Sequence, residues 1–389
     1  MAAPQNKMAR FAWLPMLLVV SCRNGSDEEA RRSEVPPQPA EEPTKKRIGP
    51  APVAQSPVRL PGVMEPAPWL GEATRVVAYG AREQAVIVAA GTGWLRWYSP
   101  DGKQLGERLG DGGAQVLEVV DLDGDGEVEI LWGRGRARGA TEALASLELL
   151  RLGSKVSVET LPLPKTSRAQ VVAAHPVPGT KNEIWVASFV SKFEVEVNRF
   201  ARSESGEWSL AESRGRHRVV GDMTVLPDGA PVIARMYGDD ADAAGGVYVL
   251  PSADVQSQIP STRGARAVLA TDSGVAMADG WHKEYGKKAQ GLVSIAGKEG
   301  ESWAIRARVQ AKNSYGFSRL RLGDVHKVQG SELVASGNGN AIVMLPSRPD
   351  LLFELSDRVA ADAYPIDLSG DSRMEVVIVG PVPAIWNAR

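Results

Sequence analysis

The stretch "EVVDLDGDGEVEILWG", residues 118–133, sets acidic side chains at alternate positions from Asp121 to Glu129, between two runs of strand-forming residues. Asp121, Asp123 and Asp125 occupy positions 1, 3 and 5 of a tight turn, and Gly126 at position 6 permits the sharp bend. Glu127 offers its backbone carbonyl at position 7 and Glu129 its carboxylate at position 9. Alternate oxygens aimed at one point are what a hard divalent cation requires. Position 12 is Trp132, and strands flank the loop, so the pattern is not that of an EF-hand.

The same frame recurs, fixed by a glutamate eight residues after the first turn position and followed by an apolar strand. The other instances are "HPVPGTKNEIWVAS" from His175, "DVHKVQGSELVASG" from Asp324 and "DLSGDSRMEVVIVG" from Asp367. Weaker versions begin at Val76, Val219 and Ala267. First strands near Val76, Val116, Val171, Val219, Val268, Leu320 and Ala363 are 40 to 55 residues apart, the period of β-propeller blades. Strand pairs such as "WLRWYSPDGKQLGERL", with its turn at Asp101-Gly102, supply the outer half of each unit. Glycine pairs such as "GDGG" at Gly110 read as further hairpin turns. The expectation is an all-β propeller of seven four-stranded blades spanning 73–389.

The pattern Asp-x-Asp-x-Asp-Gly between the first two strands of a blade resembles the FG-GAP and VCBS repeats of integrin α-like propellers and bacterial surface proteins. The resemblance covers Val76 to Arg389 as repeat architecture, with its specific motif at Asp121 to Glu129. It implies Ca2+ as a structural cofactor, held by Asp121, Asp123, Asp125, Glu127 and Glu129. Family loops have aspartate at position 9, where this chain has the longer glutamate. A weaker metal loop is offered by Asp367, Ser369, Asp371 and Glu375, with Ser372 where glycine belongs and Arg373 adding a positive charge. At His175 and Asp324 most ligands are missing while Glu183 and Glu332 remain. The alternative is therefore open that these glutamates serve the turn itself by accepting backbone donors, and that Asp and Gly are present because they favour turns.

Ahead of the repeats, Lys7 and Arg10 precede the apolar run "FAWLPMLLVV", which ends at "VVSC". This reads as an export signal over 1–21, too short for a dependable membrane span. Cys22 is the single cysteine of the chain. Its small neighbours resemble a bacterial lipobox, so lipidation at Cys22 and a membrane anchor are expected. Residues 22–72, rich in proline and mixed charge, read as a flexible stalk, because such a composition buries too little apolar surface to offset ordering. The last unit is about one strand short, and 56–70 is the expected donor of a ring-closing strand.

A formal charge of -2 over 389 residues gives no reason to expect nucleic acid as a partner. The four histidines stand singly, without a second histidine or cysteine at zinc-ligand spacing. No nucleophile elbow or phosphate loop occurs. Trp281, His282 and Tyr285 could line a ligand groove, though surface loops carry such residues for solubility as well. Two functional classes follow. The favoured one is a non-enzymatic, lipid-anchored, calcium-stabilised module at the bacterial cell envelope, at the outer membrane or cell surface, that binds a protein or glycan or acts as a scaffold. The alternative is a propeller hydrolase or lyase acting on polysaccharide or phosphate esters, which requires acid and base groups from several blades to converge on the axis.

Overall fold

The computed structural model describes residues 53–388 apart from 136–144, 154, 164–169, 192, 237–244, 253–256, 261–263, 279–290, 312–315, 326–330, 338, 347 and 357–358. The export signal, Cys22 and the groove residues Trp281, His282 and Tyr285 therefore lie outside the described residues, as does most of the expected stalk.

Among the described residues the chain is a β-propeller whose strands gather into six sheets. Three short strands come first: β1 (Val53–Gln55), β2 (Val58–Arg59) and β3 (Gly62–Pro66). A six-stranded sheet then runs β4 (Arg75–Tyr79), β5 (Val86–Tyr98), β6 (Gln104–Val120), β7 (Glu129–Gly135), β8 (Ser146–Leu152) and β9 (Val156–Thr160). The next sheet holds β10 (Val171–Pro176), β11 (Glu183–Phe189), β12 (Glu194–Arg202) and β13 (Trp208–Arg218). It is followed by β14 (Val220–Val225), β15 (Pro231–Arg235), β16 (Gly246–Val249) and β17 (Ser257–Ile259). The fifth-unit strands are β18 (Ala267–Thr271), β19 (Gly274–Ala278), β20 (Gly291–Glu299) and β21 (Ser302–Ala311). Then come β22 (Phe317–Gly323), β23 (Glu332–Gly337), β24 (Ala341–Leu345) and β25 (Arg348–Ser356). Last are β26 (Asp362–Ile366), β27 (Glu375–Val379) and β28 (Ala384–Ala388).

Six blades stand where seven were expected, and β6 is the reason. Its first half pairs with β5 and its second half with β7, so the first two repeat units share one sheet. The "GDGG" segment, expected as a hairpin turn, lies inside this strand. Gly112 at φ 88° supplies the local bend there without ending the strand. The double-width sheet folds on itself: Val77, Val88 and Leu95 pack against Leu117, Ile130, Trp132 and Leu150. The first strand of each repeat unit still contacts the next, from β4 through the second half of β6, β10, β14, β18 and β22 to β26, which meets β4 again.

Second strands are buried along most of their length, and "EILWGRG" of β7 and "ELVASG" of β23 along all of it. Each is covered on both faces by neighbouring sheets, which is why these runs are continuously apolar or small rather than alternating. Outer strands such as β13 alternate between half-buried and exposed positions, having one solvated face. The chain from 53 to 66 runs along three outer edges in turn: β1 pairs parallel with β21, β2 parallel with β25, and β3 antiparallel with β28. The last pairing gives the final sheet its fourth strand from residues that precede the first repeat, so that edge is not left open.

Candidate functional sites: an acidic turn and the propeller axis

The turn after β6 is built by its own side chains. Asp121 Oδ2 accepts the Gly126 N–H at 3.2 Å, Asp123 Oδ1 that of Asp125 at 3.2 Å, and Asp125 Oδ1 that of Glu127 at 2.8 Å. Glu129 is fully buried, and its Oε2 accepts the Leu122 N–H at 2.9 Å. One oxygen each of Asp121, Asp123 and Glu129 falls within 4.8 Å of the others, so the three could hold a metal ion. Hard oxygen donors at that spacing fit a cation of the calcium kind.

A residue absent from the sequence argument sits among these oxygens. Arg151 on β8 is the direct cross-strand partner of Glu129. Its guanidinium pairs with Asp123, approaches Asp125 Oδ2 at 3.5 Å and lies 2.7 Å from Glu129 Oε1. Burial pushes the Glu129 carboxyl up from its ordinary range despite the Leu122 donor and Arg151. The Asp123 carboxyl moves the other way: burial opposes its charge, but the bond to Arg151 outweighs it. Glu129 Oε1 has no aligned hydrogen bond although Arg151 is 2.7 Å away, and it lies within 4.8 Å of an oxygen each of Asp121 and Asp123.

The glutamate at position 9 has the same duty in three of the four frames. Glu332 Oε2 accepts the Val325 N–H at 2.6 Å and Glu375 Oε2 the Leu368 N–H at 2.7 Å, as Glu129 does with Leu122. At the remaining frame position 2 is Pro176, which has no N–H to give. Glu183 turns instead to Arg199 at 2.5 Å.

The turn at Asp367 is arranged differently. Asp367 Oδ1 accepts the N–H groups of Gly370 and Asp371 at 2.6 and 3.1 Å, and its Oδ2 that of Ser372 at 2.9 Å. Asp371 accepts the Arg373 N–H at 2.9 Å, and its carboxyl is held below the usual range by Ser369 first and that backbone donor second. Asp367, Ser369, Asp371 and Glu375 are not gathered into a cluster of three ligating acids, in contrast to the Asp121 turn.

Charged groups also converge on the axis from several sheets, a feature sequence could not show because its members are far apart along the chain. Arg321 on β22 holds Glu118 on β6 through two contacts of 2.7 and 2.8 Å and lies 3.8 Å from Asp362 on β26. Burial alone would lower the Arg321 pKa, but Glu118 and Asp362 outweigh it and keep the guanidinium firmly charged. Asp362 also accepts the N–H groups of Val76 and Ala363 at 3.3 and 3.0 Å, tying the last sheet to the first. Asp222 on β14 does the same toward β18 through the Val268 N–H at 3.0 Å, and burial raises its carboxyl.

No protein-family model matches the chain, and no curated protein matches it in sequence. Its fold is similar to solved structures. A chain of the mitotic checkpoint complex superposes with a TM-score of 0.52 at 12% identity, over 93% of this chain and 98% of that one. The extracellular domain of a hybrid two-component system from B. thetaiotaomicron does so with a TM-score of 0.51 at 10% identity, over 81% of this chain and 38% of that one. At such identities the likeness concerns the propeller fold alone.

Proposed function

We propose that the protein is a non-enzymatic binding or scaffolding module, a β-propeller held at the bacterial cell envelope by a lipid on Cys22. The observation that carries this reading is the state of the axial carboxylates. Glu118 is committed to Arg321, Asp362 to two backbone N–H groups and Arg321, and Asp222 to Val268. A general base or nucleophile must be free to take a proton or attack, and fixed donors deny that freedom. The "VVSC" end of the apolar leader supports a place outside the cytoplasm.

Calcium belongs to this reading as a structural ion of the Asp121 turn, in keeping with the resemblance to FG-GAP and VCBS repeats. Asp121, Asp123 and Glu129 would hold it, with Asp125 and the Glu127 carbonyl as the further oxygens of the loop. The ion would supply a common positive partner to carboxylates that otherwise share Arg151.

Two measurements test the function together. Cys22→Ser should move the protein from the membrane fraction to the soluble one, and unchanged anchoring would remove the lipid from the reading. Purified protein should not turn over polysaccharides or phosphate esters; sustained turnover abolished by Asp222→Asn would replace the binding module with the hydrolase or lyase.

A further inference from the structure

Along the axis the inner strands leave two adjoining cavities that share Arg75, Gln115 and Arg319 but differ in their carboxylates. The smaller, of about 30 Å³, is lined by Arg75, Arg319 and Arg321 and by the carboxylates Glu118 and Asp222, so groups of both signs face each other there. The larger, of about 180 Å³, is lined by Arg75, Arg266 and Arg319 together with Gln115, Gln170 and Ser318, and among the described residues no carboxylate lines it. The three arginines come from three different sheets: Arg75 from β4, Arg319 from β22, and Arg266 from the residue before β18. All three are half-buried.

Their internal partners are neutral. Arg75 donates to the carbonyls of Gln115 at 3.1 Å and Thr74 at 2.6 Å. Arg319 donates to the carbonyls of Gln115 at 2.7 Å and Ser318 at 3.2 Å. The Arg266 side chain meets no acceptor among the described residues, and so keeps all five of its donors. Burial, and then the neighbouring Arg319, pushes Arg75 down to about 9 and lowers Arg266 in the same direction. Asp362 and Asp222 lie near Arg75 but are already engaged by backbone donors. Three like charges held in one wall repel each other, and the nearby Asp222 and Asp362 offset them only in part, since burial and Arg319 still lower Arg75.

We infer that this cavity is an oxyanion site, which takes a carboxylate, sulfate or phosphate group carried on the ligand of the module. Guanidinium forks match the geometry of such groups with paired hydrogen bonds, and desolvation strengthens each of them. Gln115, Gln170 and Ser318 add neutral polar groups around the same space. Whole small molecules fill cavities of about 300–1,000 Å³. The space here suits the charged end of a larger molecule, the rest of which stays outside. The inference rests on the binding-module reading for the role of the ligand, while the anion site itself stands on the arginines.

The test is calorimetric titration of the purified protein with sulfate, phosphate, acetate and glucuronate at constant ionic strength, with glucose as the uncharged control. Saturable binding of at least one anion, and none of glucose, is expected. Arg266→Gln and Arg319→Gln should weaken it tenfold or more, and Asp123→Ala should leave it unchanged. A preference for glucuronate and acetate would identify the group as a carboxylate, and a preference for sulfate or phosphate as a tetrahedral ester. Absence of saturable binding to wild-type protein, or equal binding by folded arginine variants, overturns the site. Among the described residues the Arg266 side chain makes no hydrogen bond or ion pair, so its variant reads binding even where Arg319→Gln fails to fold. Anion binding accompanied by turnover of a polysaccharide or ester would sink the binding-module reading and leave the anion site in place.

Discussion

In the turn at Asp367 a single carboxylate collects three backbone N–H groups and is thereby satisfied within its own loop. In the turn at Asp121 the work is divided among Asp121, Asp123 and Asp125, one backbone donor each, and every carboxylate has capacity left over. That surplus is directed inward, where Arg151 and the buried Glu129 meet it. The backbone course is nearly the same: Gly126 has φ 86° and Ser372, its counterpart, φ 66°. One repeat can therefore keep its turn without the grouped acids that could hold a cation, because the turn depends on carboxylates accepting backbone N–H groups, whereas an ion would depend on unspent oxygens.

The largest effect expected from this comparison comes from position 9. Glu129→Ala leaves the Leu122 N–H buried without an acceptor, at a cost of about 1–3 kcal/mol, and also removes one of the three carboxylates around Arg151. A total of about 2–4 kcal/mol follows, measured by denaturant unfolding. Glu375→Ala should cost about 1–3 kcal/mol for the loss of the Leu368 contact and the longer one from Ser369. Glu183→Ala should cost about 0–1 kcal/mol, since its side chain serves only a half-exposed pair with Arg199. Equal costs at all three positions would show that the glutamate acts by something other than capturing the second amide of the turn.

Calcium should separate the two turns next. An ion that binds the folded turn and not the extended chain raises stability by roughly 2.7 kcal/mol at a hundredfold excess over its dissociation constant. The melting temperature should rise in calcium and fall in chelator, with magnesium weaker because it demands tighter octahedral geometry. Asp123→Ala should remove most of that response and Asp371→Ala little of it. Arg151 competes for the same oxygens, so Arg151→Gln should tighten calcium binding about fivefold, or about 1 kcal/mol, while leaving the apo protein less stable. Identical melting of the wild type in calcium and chelator would leave the acidic turn as a turn only.

How much of this was legible in the sequence depends on how far apart the partners lie. The spacing between position 1 and position 9 is local, so the frame, the strand after it and the glutamate's service to the backbone were readable from the residues. Arg151 was not, because it comes 22 residues after Glu129 and only the register of β7 on β8 sets them opposite. The count of blades failed for a related reason. The "GDGG" segment has the composition of a hairpin, and whether a glycine bends a strand or ends it is decided by what pairs on either side, here β5 before it and β7 after it. The arginine cavity needed all three of its sheets in place before Arg75, Arg266 and Arg319 could be seen as one wall.

The smallest predicted effect tests whether the two turns are the same backbone with different residues on it. Position 6 requires a left-handed conformation, which costs a non-glycine residue about 1–2 kcal/mol and glycine almost nothing. Ser372 bears that cost at φ 66°, and Gly126 avoids it at φ 86°. Replacing serine by glycine also frees the unfolded chain, which takes back about 0.4–1 kcal/mol. The two terms leave Ser372→Gly stabilising by about 0.5 kcal/mol, while Gly126→Ser should destabilise by a similar amount. No atom lies within 4 Å of a Cβ built at Gly126, so steric neighbours do not enter, and the difference isolates the backbone. The Ser372 N–H that Asp367 captures survives either change, since glycine keeps it. If Ser372→Gly destabilises instead, the serine side chain contributes more to its turn than the backbone conformation takes from it, and the likeness of the two turns would extend to their backbone path and no further.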